Sequence, residues 1–183
     1  MIKLNTKHFG EIEYDPQKTI TFPEGIPGFP DSKRYLLMSE DPNEELFFWL
    51  QSLDEGDVAF TLMDVYKVLP YYDPHVEEDE MLAVGEISAN PLLIYNIVVI
   101  PDYVREMRVN LRAPVVMNID TGLGKQVICT NEDYSIRFMI FEELERAKKS
   151  VGAQQHDDVN IFESTVNIHE NTPQENNDAG TDT

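Results

Sequence analysis

The sequence predicts a mainly β protein: an antiparallel β-barrel-like domain with one or two short helices and a disordered acidic C-terminal tail. Three observations carry this. Short apolar runs separated by turn residues recur along most of the chain. In RVNLRAPVVMNID, Val109, Leu111, Ala113, Val115, Met117 and Ile119 share one parity, while Arg108, Asn110, Arg112, Asn118 and Asp120 share the other. A period of two with one apolar face is a half-buried strand. Beyond Lys149, the last basic residue, the composition turns to Asn, Gln, Thr and acids.

In chain order, strands are expected at 11–14 and 19–22. The stretch FPEGIPGFP (22–30) then places three prolines and two glycines in nine positions. Prolines fix φ and glycines permit positive φ, so a rigid bend is expected in which Gly25, Pro27, Gly28 and Phe29 are structural. Ile26 and Phe29 should point inward and cap the barrel. A phosphate loop would need a denser glycine run, a lysine and a Ser/Thr, and Glu24 would repel the anion.

Strands follow at 35–39, 46–52 and 58–63. In DPHVEEDEMLAVG, Asp73 has the character of an N-cap, Pro74 suits the first helical position, acids fill the early turns and Gly85 sits past the end. A helix is therefore expected from Asp73 to about Val84. The run at 92–100 is nearly continuous in apolar character and predicts a strand buried on both faces. The alternating strand at 108–120 contains Pro114, which cannot donate to a ladder and marks an edge or a bulge. Asp120-Thr-Gly-Leu-Gly124 turns the chain, and 125–130 returns as the partner strand. GLGK (122–125) lacks the spacing and the following Ser/Thr of a phosphate-binding motif. A second helix is expected over 138–149, with Phe138, Phe141 and Leu144 at spacing three and Glu142–Arg146 and Glu145–Lys149 as i,i+4 pairs.

These elements fill residues 1–149. The segment 150–183 cannot bury enough apolar surface to offset its ordering entropy, so it is expected to be disordered. Within it VNIFESTVNI (159–168) could dock as a short strand or remain an unstructured apolar patch.

Charge narrows the function classes. The chain of 183 residues has 34 acids against 14 bases, a net charge of −20. The tail holds seven of the acids and none of the bases, leaving −13 on the body. Such a surface repels nucleic acid and anionic lipid and attracts basic proteins, so neither direct nucleic-acid binding nor membrane association is expected. No secretory signal is evident in MIKLNTKHFGEIEY. Cys129, the single cysteine, lies among apolar neighbours and reads as a buried, inert thiol, compatible with a reducing cytoplasm. His8, His75, His156 and His169 show no metal-ligand spacing, and neither metal nor cofactor is expected. No nucleophile elbow is present, and the many carboxylates carry no specific catalytic signal.

The densest charge cluster is Glu77-Glu78-Asp79-Glu80, beside Tyr66, Tyr71, Tyr72 and Asp73. It reads as a solvated helix start or as a docking surface for a basic partner with aromatic anchors; a calcium site is the weakest reading, since no D-x-D/N-x-D/N-G loop is present. Tyr71, Tyr72, Asp73, Glu77, Glu78, Asp79 and Glu80 are the candidate partner-binding residues; Asn110 and Pro114 join the bend residues as structural.

Several segments together resemble the flagellar assembly factor FliW family: the opening TKHFGEI (6–12), FPEGIPGF (22–29), LQSLDEGDVAF (50–60), NLRAPVVMN (110–118) and KQVI (125–128). The resemblance covers about residues 1–145, not the tail. It implies a cytoplasmic, non-enzymatic β-barrel-like protein that binds the translational regulator CsrA, relieving its repression of flagellin mRNA, and that binds flagellin as a competing partner. A monomer is expected. Two other readings stand beside it: a dedicated flagellin export chaperone with no role in translation, and a small acidic metal-dependent enzyme. A contact for flagellin at an exposed strand edge near Pro114 is a further expectation.

Overall fold

In the computed structural model the described residues are 1–39, 46–85 and 92–152, with side chains to Lys149. The chain divides into two units, Met1–Lys148 and Lys149–Thr183. Residues 150–152 of the expected disordered tail instead end the second helix; the rest of the tail, with VNIFESTVNI, His156 and His169, lies outside the described residues.

The fold is mainly β. The first two strands, β1 (Ile2–Thr6) and β2 (Gly10–Tyr14), form a separate antiparallel hairpin. Leu4, Ile12 and Tyr14 on this hairpin pack against Leu36, Met38 and Leu53. Strand β1 escaped the sequence reading because IKLNT has only two apolar side chains, and the hairpin covers an outer wall rather than entering the main core.

Next come β3 (Thr19–Thr21), β4 (Arg34–Met38), β5 (Phe47–Ser52), β6 (Ala59–Met63) and β7 (Leu93–Val99). Each pairs antiparallel with the next. The run continues through β8 (Arg108–Val109), β9 (Val115–Asn118), β10 (Leu123–Gln126) and β11 (Phe138–Met139). Strand β7 also pairs with β9, β9 with β10, and β10 meets β3 in parallel at Leu123↔Thr21. Strands β3–β7, β9 and β10 thus close a seven-stranded barrel, antiparallel except at that one joint. Its interior holds Ile20, Phe22, Ile26, Tyr35, Leu50, Leu62, Val115 and Met117, all nearly inaccessible to water.

The bend at 22–30 behaves largely as its composition requires. Gly25 and Gly28 have φ of +74° and +91°. Phe22 O accepts from Gly25 N at 2.9 Å, and Ile26 bridges Phe29. Ile26 enters the core; Phe29 stays 36% exposed and rests edge-on against Phe60, so only Ile26 caps the barrel.

Several expectations need correction. The strand expected at 108–120 is broken into β8 and β9. Asn110 Oδ1 accepts the backbone N–H of Arg112 and Ala113, a local turn that interrupts the ladder. Pro114 sits at this break but is buried, and its carbonyl accepts Val127 N at 2.9 Å. With β7 on one side and 127–129 on the other, the edge near Pro114 is not exposed. Ile119, expected on the apolar face, is 52% exposed because the β9–β10 turn has already begun. The return strand begins at Leu123 rather than Lys125.

The first helix, α1, is Glu78–Leu82, with Glu77 rather than Asp73 as N-cap. Tertiary bonds hold the preceding residues out of the helix. Thr130 donates through its backbone N and Oγ1 to His75 O, Asp73 N donates to Tyr134 Oη, and His75 has φ +39°. The second helix, α2, is Phe141–Gly152. Phe138 is in β11, paired with Val109, and Ile140 and Leu144 are the buried residues at the helix start. Its ion pairs are Glu143–Arg146 at 2.6 Å and Glu145–Lys148 at 3.9 Å, while Glu142 faces Arg105.

Strand β7 is covered on both faces for most of its length. Leu93, Tyr95 and Ile97 line the barrel, and Leu92 and Ile94 join Val84, Val116 and Val127 under α1. Its last residue, Val99, is 52% exposed, so the two-sided burial expected for 92–100 ends there. Cys129 is buried, with Sγ near the carbonyls of Leu111 and Asn131.

Candidate partner-binding surface

The seven candidate residues divide by role. Tyr71 is 96% exposed, and Asp73, Glu77, Glu78 and Asp79 are also exposed. None of Glu77, Glu78 and Asp79 has a basic partner among the described residues. Their order follows from two anchors. Upstream, Thr130 and Tyr134 pin residues 73–75 by hydrogen bonds. Downstream, Val76, Met81 and Val84 pack on Val116 and Val127 of the barrel wall, and Thr121 Oγ1 donates to Val84 O at 2.7 Å. The acidic turn is thereby presented outward by an apolar underside.

Glu80 does a different job. Its Oε2 lies 2.7 Å from Lys125 Nζ on β10, and Glu24 Oε1 of the bend lies 3.5 Å from the same ammonium. The Glu80 carboxylate holds the Lys125 ammonium above its usual range, outweighing partial burial. Glu80 therefore ties α1 to the barrel and is not a free charge.

Tyr72 is also internal. Its hydroxyl donates to Leu111 O at 2.7 Å and accepts from Asn96 Nδ2 at 2.9 Å, while Nδ2 also donates to Asn110 O. Burial pushes the Tyr72 phenol well above its ordinary range, against the opposing hydrogen bond from Asn96. Its ring packs at 5.5 Å from Tyr66 and 5.0 Å from Tyr134. Burial, then the Asp73 and Asp64 carboxylates, push Tyr66 up as well. Tyr134 escaped the sequence reading; it is far from Tyr72 along the chain, and only the 73–75 to 130–134 contacts bring them together.

Next to this stack lies an apolar cavity of about 500 Å³, lined among others by Val68, Leu69, Tyr71, Tyr134 and Phe138, with Asp133 and Glu143 at its edge. An exposed tyrosine at an apolar hollow suits the capture of another polypeptide: the aromatic provides anchoring area and the Asp133 carboxylate adds negative charge, Glu143 being paired with Arg146. Among the described residues, no cluster of three His, Cys, Asp or Glu side chains could hold a metal ion, and no helix is long and apolar enough to cross a membrane.

The sequence model of the FliW protein family matches residues 3–140. The flagellar assembly factor FliW of Thermoanaerobacter pseudethanolicus is 42% identical over 146 residues, covering 80% of this chain and 97% of the relative. That of Caldanaerobacter subterraneus is 40% identical over 148 residues, with 80% and 97% covered. Among solved structures, a crystal structure of the flagellar assembly factor FliW superposes with a TM-score of 0.68 at 30% identity, over 75% of this chain and 96% of that one.

Proposed function

The chain belongs to the FliW family of flagellar assembly factors, and from that premise we propose that it works by binding two proteins in competition. One is a CsrA-type RNA-binding regulator, whose repression of flagellin mRNA it relieves; the other is flagellin. It does so as a monomer in the cytoplasm, without catalysis or cofactor, and with 150–183 as an appendage to the barrel domain 1–149.

The observation that carries this reading is the outward acidic turn Glu77–Glu78–Asp79, without basic partners among the described residues, on a body of net charge −13. An RNA-gripping protein has a positive surface. A negative field steers it in and discourages RNA from following. Flagellin needs a less electrostatic contact, and the tyrosine-edged cavity beside the same loop supplies apolar area.

The test uses purified components. Complexes with the regulator and with flagellin are expected by pull-down, each displacing the other, and added protein should release the regulator from flagellin mRNA in a gel shift. Binding of flagellin with no effect on the gel shift would favour the dedicated export chaperone. Binding of neither would refute the proposal.

A further inference from the structure

Strand β7 runs past the barrel. Strand β6 accompanies it only to Ile97, through Leu62↔Ile97 and Met63↔Asn96. Beyond that point β8 and then β11 take over, with Val99↔Arg108 and Met139↔Arg108 in register. Val99, Arg108 and Met139 therefore stand in a row across three strands, on one face. Ile97 shares that face by the same period and continues it from the wall of the barrel interior, while Asn110, Ile136 and Arg137, just outside β8 and β11, border it. The opposite face carries Val98, Val109 and Phe138 toward buried Met107 and Ile140.

The outward face forms a shallow depression of about 330 Å³ lined by Ile97, Val99, Arg108, Asn110, Ile136 and Arg137. Of its apolar lining, Ile97 packs against the barrel core while Val99 and Ile136 are 52% and 60% exposed; Met139, on the same face beside it, is 49% exposed. Its charges are unmatched. Of the six arginines in the chain, Arg34, Arg105, Arg112 and Arg146 each have a carboxylate within 4 Å. Arg108 and Arg137 have none among the described residues, in a chain with 34 acids. Arg108 is also half-buried, flanked in register by Val99 and Met139, aliphatic neighbours that its stem can cover.

We propose that this face docks a peptide segment of a protein partner that presents a carboxylate side chain between aliphatic ones. Two guanidinium forks accept a carboxylate in planar, bidentate fashion, and the exposed Val99, Ile136 and Met139 cover the flanking aliphatic groups. A nucleic-acid phosphate is disfavoured because the net charge of −20 repels a polyanion. A free carboxylate would leave the apolar rim wet. The chemistry is opposite to that of the acidic turn on α1, so this site goes beyond the binding reading above and stands if that reading fails.

The experiment is an amide-resolved NMR titration of the full chain with the blocked peptide Ac-Ala-Leu-Glu-Ile-Ala-NH2. Its glutamine counterpart and acetate serve as separate arms. Saturable shifts are expected in 97–99, 108–110 and 136–139, with the glutamine peptide at least about fivefold weaker and acetate without effect on the apolar rim. Arg108→Gln should weaken the glutamate peptide by a similar factor while leaving the urea midpoint and the rest of the spectrum unchanged; Arg137→Gln provides a second variant, at an exposed position. The proposal is overturned by no saturable shift up to about 5 mM peptide, by equal affinity for the two peptides, by acetate reproducing the peptide's shifts, or by both arginine variants binding like the parent.

Discussion

The glycines of the bend allow a comparison with its own control. Both have positive φ, +74° at Gly25 and +91° at Gly28, so an alanine at either must adopt a left-handed conformation at about 1–2 kcal/mol. They differ in surroundings. A Cβ on Gly25 would lie 2.6 Å from Phe29 O and 2.9 Å from Pro30 Cα, whereas one on Gly28 meets nothing within 4 Å. The atoms crowding Gly25 are backbone, held by the Ile26–Phe29 bridge, so they cannot swing aside. Relieving that overlap adds about 1–3 kcal/mol. Gly25→Ala should therefore lose about 2–5 kcal/mol and Gly28→Ala about 1–2 kcal/mol. For a domain of this size, thermal midpoints should fall by about 4–20 °C and about 2–8 °C respectively. Urea unfolding followed by circular dichroism, with the single tryptophan Trp49 as a second probe, measures both. Equal losses in the two variants would show that the close approach to Phe29 and Pro30 does not constrain the bend.

Four further outcomes follow from the same geometry. Tyr72→Phe leaves Leu111 O without its strong donor in a buried place and should cost about 1–3 kcal/mol in urea unfolding, with little change if water replaces the hydroxyl. Burial pushes the Asp54 carboxyl up, but the N–H groups of Lys33 and Arg34, each at 2.8 Å, and the Arg34 guanidinium outweigh it and hold the carboxyl below its usual range. Its contribution is thus complete above the unfolded pKa of about 3.9 and is lost as pH falls through the lower folded value, so the stability gap between parent and Asp54→Asn should shrink between pH 6 and pH 3. Reversing Glu77, Glu78 and Asp79 to lysine should slow association with the basic regulator and flatten its salt dependence in stopped-flow mixing. Glu80→Gln should instead lower stability modestly and leave the on-rate nearly unchanged, since Lys125 already neutralises that carboxylate.

How far these features were legible in the sequence depends on the range of the interactions that set them. Strands β2 to β7 follow from local runs and turn residues, and their observed limits fall within a residue or two of those expected. Failures occur where a distant partner overrides local preference. Asp73-Pro74 has the form of a helix start, yet Thr130 and Tyr134 claim the backbone groups a helix would use. Val109 to Ile119 places an apolar residue at every second position, yet the Asn110 side chain bonds two amides and breaks the strand. Tyr72 and Glu80 read as surface residues by their neighbours, and only the fold reveals that Asn96, Leu111 and Lys125 occupy them. The two arginines were invisible for the same reason: Arg108 and Arg137 line one depression only because β11 folds back on β8.

The residues that carry the family resemblance are mostly those that build the barrel. In LQSLDEGDVAF, Gln51 Nε2 donates to the carbonyls of Ser52, Gly56 and Val58. Ser52 Oγ accepts the N–H groups of Asp54 and Glu55, and Asp54 clamps the start of β4. Gly56 sits where a Cβ would strike Asn5 O, since Lys7 N donates to Gly56 O and draws the first hairpin close. This motif is a corner joining β5, β6, β4 and the N-terminal hairpin. A motif of this kind specifies architecture strongly because Gln51 Nε2, Ser52 Oγ and the Asp54 carboxylate each bond particular backbone atoms. A docking face needs only the right charge and area, which many sequences supply. The same asymmetry sets the phenotypes: substitutions in the corner should remove folded protein, whereas those in the acidic turn should leave it folded and change only what it holds.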